Sequence, residues 1–369
     1  MKIAVDLSYI REECNTGLAV YAFNLLQGFR DLGLMDSVVL LSEAGFEQGY
    51  ARQTEGFRTI PVTTGSIPFL PFSRGPLNRR KLDSILEEEG VSVLLSPYIY
   101  DRSLYSRRVP CIGVIHDTNL FHQKNVLLRA RYRLGAIKAC NRLERIVAIS
   151  ECSREEIQKI KGIKTPVEVI YNSVVSTADP SRKTAVEPPY ILDVNTILEH
   201  KNPLTLIRAF EQIKDRIPHR LVFKAKRTPY WNEMLGPYIR SASLEGRVEL
   251  NEAVLTREEL DRLYVNADLF VSPSNMEGFG FTPIEAALAG VPVICNALPT
   301  LVESTRGLVT YYSPAEDASA LTEKILYVLE NRDAIKTEEI RKEFLEAYSP
   351  RHQAECFMEL ISRVAGGSF

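Results

Sequence analysis

Residues 267–296, ADLFVSPSNMEGFGFTPIEAALAGVPVICN, read as strand, loop, helix and strand. Asp268–Ser274 is a short apolar run that ends in Ser-Pro-Ser, and Glu277-Gly278-Phe279-Gly280 forms the loop. Thr282-Pro283 opens the helix, with Thr as N-cap and Pro in the first turn. Gly290 closes it, and Val291–Cys295 is the next strand. A strand-loop-helix unit with glycines in its loop presents free backbone N–H groups beside the positive end of a helix, which suits an anion. Two carboxylates, Glu277 and Glu285, flank that loop. Thr282-x-x-Glu285 also fits a capping box, as do Ser153-x-x-Glu156 and Thr256-x-x-Glu259. On spacing alone Glu285 therefore has two readings, a backbone cap and a ligand contact.

The same alternation runs outward in both directions. Before residue 175 the strand candidates are Lys2–Leu7, Val38–Leu41, Arg58–Val62, Val91–Ser96, Cys111–Ile115, Arg145–Ile149 and Val167–Tyr171. Helical patterns at Gly17–Leu32, Pro76–Glu89, Val126–Leu143 and Glu151–Lys161 fill gaps between them. Continuous Val/Ile/Leu runs separated by helices predict parallel strands buried on both faces, an α/β doubly wound sheet whose ligands bind at the carboxyl ends of its strands. Residues 176–189, STADPSRKTAVEPP, are polar and proline-rich and read as a linker. The alternation restarts with Tyr190–Val194, Leu221–Lys224, Arg247–Leu250, Asp268–Ser272, Val291–Cys295 and Gly307–Tyr312, with helices opening at Asn202-Pro203 and near Pro229 and Thr256. The expected organisation is one domain over 1–175, the linker over 176–189, a second domain over 190–349 and a final helix over 350–369, with a cleft between the domains.

The chain's 369 residues suffice for two such cores. Residues 1–173 hold 23 Lys/Arg against 19 Asp/Glu, a net of +4, and the remainder 22 against 28, a net of −6. The first half is the one expected to meet an anionic partner. Six scattered cysteines without a Cys-x-x-Cys pair point to free thiols in a reducing cytosol. The N-terminal run is a strand and not a signal peptide, and the longest uncharged run, 286–302, is broken by Gly290, Pro292 and Pro299, so any membrane contact is expected to be peripheral. Dinucleotide, P-loop and zincin motifs are missing. No metal is expected, because the histidines and acids lack ligand spacing.

Three further features fall at strand ends. Asn15-Thr16-Gly17 precedes the first helix, where Gly17 is either a plain turn residue or a point of close approach to a ligand. His116-Asp117 follows a buried strand, where His116 is either a satisfied core histidine or a site residue. Lys201 stands directly before the helix opened by Asn202-Pro203, against the helix dipole unless an anion joins them. A diphosphate held between the helix starts at Asn202 and Thr282 accounts for Lys201 and for the glycine loop, with Glu285 left to accept hydrogen bonds from ribose hydroxyls. Lys124–Arg145 adds seven basic residues, Lys124, Arg129, Arg131, Arg133, Lys138, Arg142 and Arg145, against Glu144 alone. They form either an interfacial surface for anionic lipid or the solvated face of a packed helix. Nucleic acid is disfavoured for want of interleaved aromatics.

Glu277-Gly278-Phe279-Gly280-Phe281-Thr282-Pro283-Ile284-Glu285-Ala286, followed by Ala289-Gly290-Val291-Pro292-Val293-Ile294, resembles the E-G-F-G-L-x-x-x-E-A…G-x-P-V-I signature of family 4 glycosyltransferases. His116-Asp117, Ala148-Ile149-Ser150, Tyr171-Asn172 and His200-Lys201-Asn202 resemble its weaker landmarks, in order. The resemblance implies a GT-B fold of two Rossmann-like domains and retaining transfer of a hexose, with mannose favoured, from a GDP- or UDP-sugar. The acceptor would be a saccharide or lipid-linked saccharide in surface polysaccharide synthesis, at the cytoplasmic side and possible without a cofactor. It implies that Lys201 and the Phe281 and Thr282 main chain meet the diphosphate. Glu277 and the Gly278, Phe279 and Gly280 backbone would hold sugar hydroxyls, Glu285 the ribose, and His116 the donor sugar, with Gly17 near phosphate or acceptor. The chain departs from the pattern where a second basic residue is usual, at Asn195-Thr196; Lys224, Lys226 or Arg227 is expected to supply that charge. It also has Ala19 for a common glycine and Ser173 after Asn172. An epimerase or phosphorylase of the same fold and an inactive nucleotide-sugar-binding protein are the alternatives.

Overall fold

The structure is a computed structural model and describes residues 1–10, 17–43, 45–62, 79–99, 105–117 and 135–366. Asn15-Thr16 and Lys124 to Arg133 lie outside the described residues. The chain divides into two compact units, Met1–Ser173 with Tyr348–Phe369, and Val174–Ala347.

The first unit is built on a seven-stranded sheet: β1 (Lys2–Asp6), β2 (Val38–Ser42), β3 (Arg58–Pro61), β4 (Val91–Ser96), β5 (Cys111–Ile115), β6 (Arg145–Ala148) and β7 (Val167–Val169). Its order is β3-β2-β1-β4-β5-β6-β7, with every pairing parallel. Strands β2 and β5 are buried at every residue, as continuous apolar runs require when both faces are covered. The order reverses between β1 and β4, which opens a crevice at the carboxyl ends of these two strands.

The helix Pro350–Val364 packs on the first helix, Gly17–Asp31. Gly28 makes that packing close: a Cβ there would stand 2.1 Å from the Pro350 carbonyl oxygen and 2.7 Å from Ala354 Cβ. The Gly28→Ala variant must push the helices apart, and it should lose about 1–3 kcal/mol of stability, measured by chemical denaturation. Gln353 fastens the same helix, donating to the Tyr171 carbonyl at 2.9 Å and accepting from Ser173 Oγ at 2.8 Å.

The second unit has a six-stranded parallel sheet of order β10-β9-β8-β11-β12-β13. The strands are β8 (Tyr190–Val194), β9 (Arg220–Lys224), β10 (Val248–Asn251), β11 (Leu269–Ser272), β12 (Val293–Asn296) and β13 (Thr310–Tyr312). The order reverses between β8 and β11. β12 starts two residues later than its apolar run suggests, because Pro292 has no N–H; its carbonyl instead accepts from Phe270 N at 2.9 Å.

Residues 176–189 are no free linker but pack on the second unit. Lys183 Nζ donates to the Ala267 carbonyl at 3.0 Å, Thr184 N to Asn266 Oδ1 at 2.9 Å, and Thr177 Oγ1 to the buried Asp261 carboxylate. Their polar side chains, which read as linker composition, are used for local hydrogen bonding.

Helix starts also differ from the sequence reading. Thr256 and Glu259 do form a reciprocal capping box. Ser153 does not cap a helix: Ser150 does, accepting from Ser153 N at 3.0 Å. Thr282 lies inside its helix, Phe281–Leu288, whose N-cap is Gly280 at φ +88°, a conformation that glycine adopts without strain.

Candidate active site

The loops after β8 and β11 leave the second sheet on either side of its reversal point and bind each other. Asn275 N donates to the His200 carbonyl at 2.8 Å, and Asn195 Nδ2 to Ser274 Oγ at 3.2 Å. Asn296 Nδ2, at the end of β12, donates to the Ser274 carbonyl at 3.0 Å. These bonds bring Lys201 and Glu277 together: Lys201 Nζ lies 2.8 Å from Glu277 Oε1, with side chains only 16% and 12% exposed. The dipole conflict anticipated at Lys201 is thus met by the Glu277 carboxylate. Lys201 Nζ also donates to the Met276 carbonyl at 3.4 Å.

Asn202 begins the next helix in the left-handed region, at φ 56°, without a side-chain bond to a backbone N–H. Its Nδ2 donates to the Ala315 carbonyl at 2.8 Å, and its Oδ1 accepts from Thr205 Oγ1 at 2.7 Å. The side chain fastens the loop sideways instead of capping the helix.

Around the glycine loop, Gly278 is exposed with open space where a Cβ would stand, while a Cβ at Gly280 would meet Leu301 Cδ2 at 2.5 Å. Phe279 is buried and its ring lies 5.2 Å from that of the exposed Phe281. Thr282 is half-buried behind them. Glu285 does not cap Thr282. Its Oε1 accepts from Arg257 Nη1 at 3.0 Å and its Oε2 from Tyr264 OH at 2.9 Å. Arg257 in turn pairs with Asp261 at 2.7 Å. The carboxylate is held by residues far from it in sequence, and it keeps lone pairs for a further donor.

Of the three cations considered beside Asn195, Lys224 donates to the carbonyls of Asn251 and Ala253 at 3.1 and 2.6 Å, and Arg227 pairs with Glu252 at 2.8 Å. Lys226 is exposed on the loop between them.

Sequence reasoning missed Asp193. It stands on β8, fully buried, with Oδ1 lacking any hydrogen-bond partner. Burial, reinforced by the negative Glu277 and opposed by Lys201, pushes its carboxyl up to about 8. The signal was one acidic letter in the apolar run Tyr-Ile-Leu-Asp-Val.

In the first unit, His116 follows β5, and its Nε2 donates to the Pro97 carbonyl at 2.8 Å. The Tyr21 ring meets the imidazole edge to face, with centroids 4.5 Å apart at 89°. Burial lowers the His116 pKa, partly offset by the Pro97 bond and Asp117, so the ring is neutral at pH 7 and Nδ1 is its acceptor. Gly17 opens the first helix, with open space around its Cβ position.

Among the described residues no three His, Cys, Asp or Glu side chains converge as a metal set, and no helix is long and apolar enough to cross a membrane.

Residues 176–346 match the family model described as glycosyl transferases group 1, and residues 15–177 the model described as Glycosyltransferase Family 4. The O-antigen chain mannosyltransferase RfbU of Salmonella typhimurium is 28% identical over 207 residues, a match covering 56% of this chain and 57% of that protein. The chain thus spans little more than half the length of this relative. Among solved structures, a glycosyltransferase of Rickettsia africae superposes with a TM-score of 0.73 at 18% identity, over 100% of this chain and 99% of that one. Anabaena HepE in complex with UDP-glucose gives 0.69 at 16% identity, over 98% and 100%. These two establish the fold.

Proposed function

The chain belongs to the family 4 glycosyltransferases, with the GT-B fold, and from that we propose that it transfers a hexose, mannose in preference, from a nucleoside-diphosphate sugar to a saccharide acceptor with retention at the anomeric carbon. The observation that carries this reading is the Lys201–Glu277 pair at the reversal point of the second sheet, beside a helix that begins at Gly280. Breaking the bond to a diphosphate builds negative charge on the departing oxygen, and preorganised positive groups lower that barrier. Lys201 would exchange the Glu277 carboxylate for diphosphate oxygens, assisted by the N–H groups of Phe281 and Thr282 at the helix start. Glu277, released, would accept from sugar hydroxyls, and the backbone N–H groups of the Gly278–Gly280 loop would donate to them. Glu285, already oriented by Arg257 and Tyr264, would accept from the ribose, and Asn195 and Lys226 would complete the donor contacts. By the family resemblance, His116 would meet the donor sugar and Gly17 would lie near phosphate or acceptor.

The preference for mannose rests on the named activity of the Salmonella relative, and a UDP-sugar is supported as a donor class by the HepE complex. We place the enzyme on the cytoplasmic side, in keeping with the free cysteines among the described residues, and assign it a lipid-linked acceptor at the anionic inner membrane surface through the basic stretch 124–145.

A panel of UDP, GDP and their hexose conjugates tests the donor assignment. A ligand at 100 times its Kd should raise the melting temperature by about 5–10 °C, and a panel that moves nothing overturns it. The Glu285→Ala variant should lose most of that rise; an unchanged rise would leave Glu285 as a purely structural partner of Arg257 and Tyr264.

A further inference from the structure

Two arginines of the first unit are held together without a counter-charge. The loops before β5 and β6 meet at the amino ends of those strands, the opposite end of the sheet from its reversal crevice, and line an open pocket of about 570 Å³. Its charged side chains are Arg107, Arg108, Arg142 and Glu144. Arg108 is matched by Glu87, and the neighbouring Arg145 by Glu168 at 3.3 Å. Arg107 and Arg142 have no carboxylate partner among the described residues, and the exposed Glu144 makes an ion pair with neither. Arg107 is exposed and Arg142 half-buried.

The frame under this pair is rigid. Both loops are fastened to the buried Cys111: Ser106 N donates to its Sγ at 3.3 Å, and Glu144 N to its carbonyl at 2.8 Å. Ser106 also closes the turn that carries Arg107. Its Oγ accepts from Arg108 N at 3.0 Å and Val109 N at 3.1 Å while donating to the Asp83 carboxylate. Arg142 lies over the Tyr105 ring, with Cζ 4.1 Å from the centroid. Burial first, then the charge of Arg107, lower the Arg142 pKa, so the two cations repel across the pocket. Stacking on Tyr105 offsets part of that cost and leaves the guanidinium edge, with its N–H donors, for another acceptor.

Repulsion held in place on a rigid frame is relieved by an anion, and forked guanidinium donors match the oxygens of a phosphate group. We infer that Arg107 and Arg142 form a second anion site on the first unit, which takes a phosphate or diphosphate with a free end, either in solution or as a lipid headgroup. Arg142 belongs to the basic stretch 124–145, but Arg107 comes from outside it. The site shares no residue with the donor contacts at Lys201, Glu277 and Glu285, and it does not depend on the transferase reading.

Calorimetric titration of the full chain with inorganic phosphate and with diphosphate, at fixed ionic strength in chloride, tests the free form. Arg107→Gln and Arg142→Gln should each weaken the binding of at least one of them by about tenfold. The melting-temperature rise with UDP- and GDP-hexoses, whose diphosphate has no free end, should stay as in the parent. Without phosphate, Arg107→Gln should be at least as heat-stable as the parent, because it removes the repulsion. Sedimentation with phosphatidylcholine vesicles carrying phosphatidic acid, against vesicles of equal surface charge carrying phosphatidylglycerol, tests the headgroup form. The parent should prefer phosphatidic acid, and both variants should lose that preference. Arginine dependence in the calorimetry alone assigns the site to free phosphate, and in the vesicles alone to a headgroup. If neither measurement depends on Arg107 and Arg142, the inference is overturned, and any binding belongs to the donor site or to diffuse surface charge. A less heat-stable Arg107→Gln in chloride would also overturn it, since the arginine would then serve the fold.

Discussion

Replacing Lys201 with alanine should lower kcat/KM for the nucleotide sugar by about 10²- to 10³-fold, the range for removing one preorganised charge from a developing anion. The effect should fall on turnover as well as on affinity, because the leaving diphosphate gains charge as the bond breaks. The loss has two parts. Lys201 is the cation paired at 2.8 Å with Glu277, whose side chain is only 12% exposed. Its removal strands a shielded carboxylate near the position assigned to the diphosphate. The double variant Lys201→Ala/Glu277→Gln separates the two: recovery of UDP or GDP affinity, without recovery of turnover, is the expected pattern. A single variant with unchanged kcat/KM would show that Lys201 only neutralises Glu277.

The Asp193→Asn variant should be more stable than the parent at neutral pH and above. An aspartate in the unfolded chain ionises near pH 3.9, whereas burial first, then the nearby Glu277, push the Asp193 carboxyl up to about 8. Between those values folding must bind a proton, so the stability present below about pH 4 is lost progressively as pH rises towards 8. The asparagine variant carries no such proton. Its advantage over the parent should grow by roughly 1.4 kcal/mol per pH unit between pH 5 and 7.5. Urea unfolding of both proteins at several pH values measures this, and parallel stability curves would refute it. A buried acid that costs stability beside the Lys201–Glu277 pair is the kind of perturbed group that functional sites accumulate.

What was legible in the sequence was what local periodicity encodes. Every strand candidate became a strand, because runs such as Val38–Ser42 and Cys111–Ile115 are buried on both faces and have no other way to satisfy their backbones. Helix starts were less legible, since several residues near a terminus compete for one cap. Gly280 prevailed over Thr282, and Ser150 over Ser153, through backbone geometry that composition does not display. In the site, the conflict at Lys201 was visible as a lysine against a helix start, but its resolution by Glu277 was not, since it depends on two loops meeting across β8 and β11. Arg257 and Tyr264 behind Glu285 were hidden for the same reason. Partners distant in sequence leave no periodic trace.

The helix Pro350–Val364 gives the first unit a delayed completion. That unit draws on Met1–Ser173 and on Tyr348–Phe369, whereas Val174–Ala347 is one continuous stretch. During synthesis the second unit has all its residues before the first has its last helix. Until Pro350 and Ala354 arrive over Gly28, the apolar face of the first helix that they cover stays open to solvent and to other nascent chains. Of the two units, the one whose synthesis starts earlier is the one completed later.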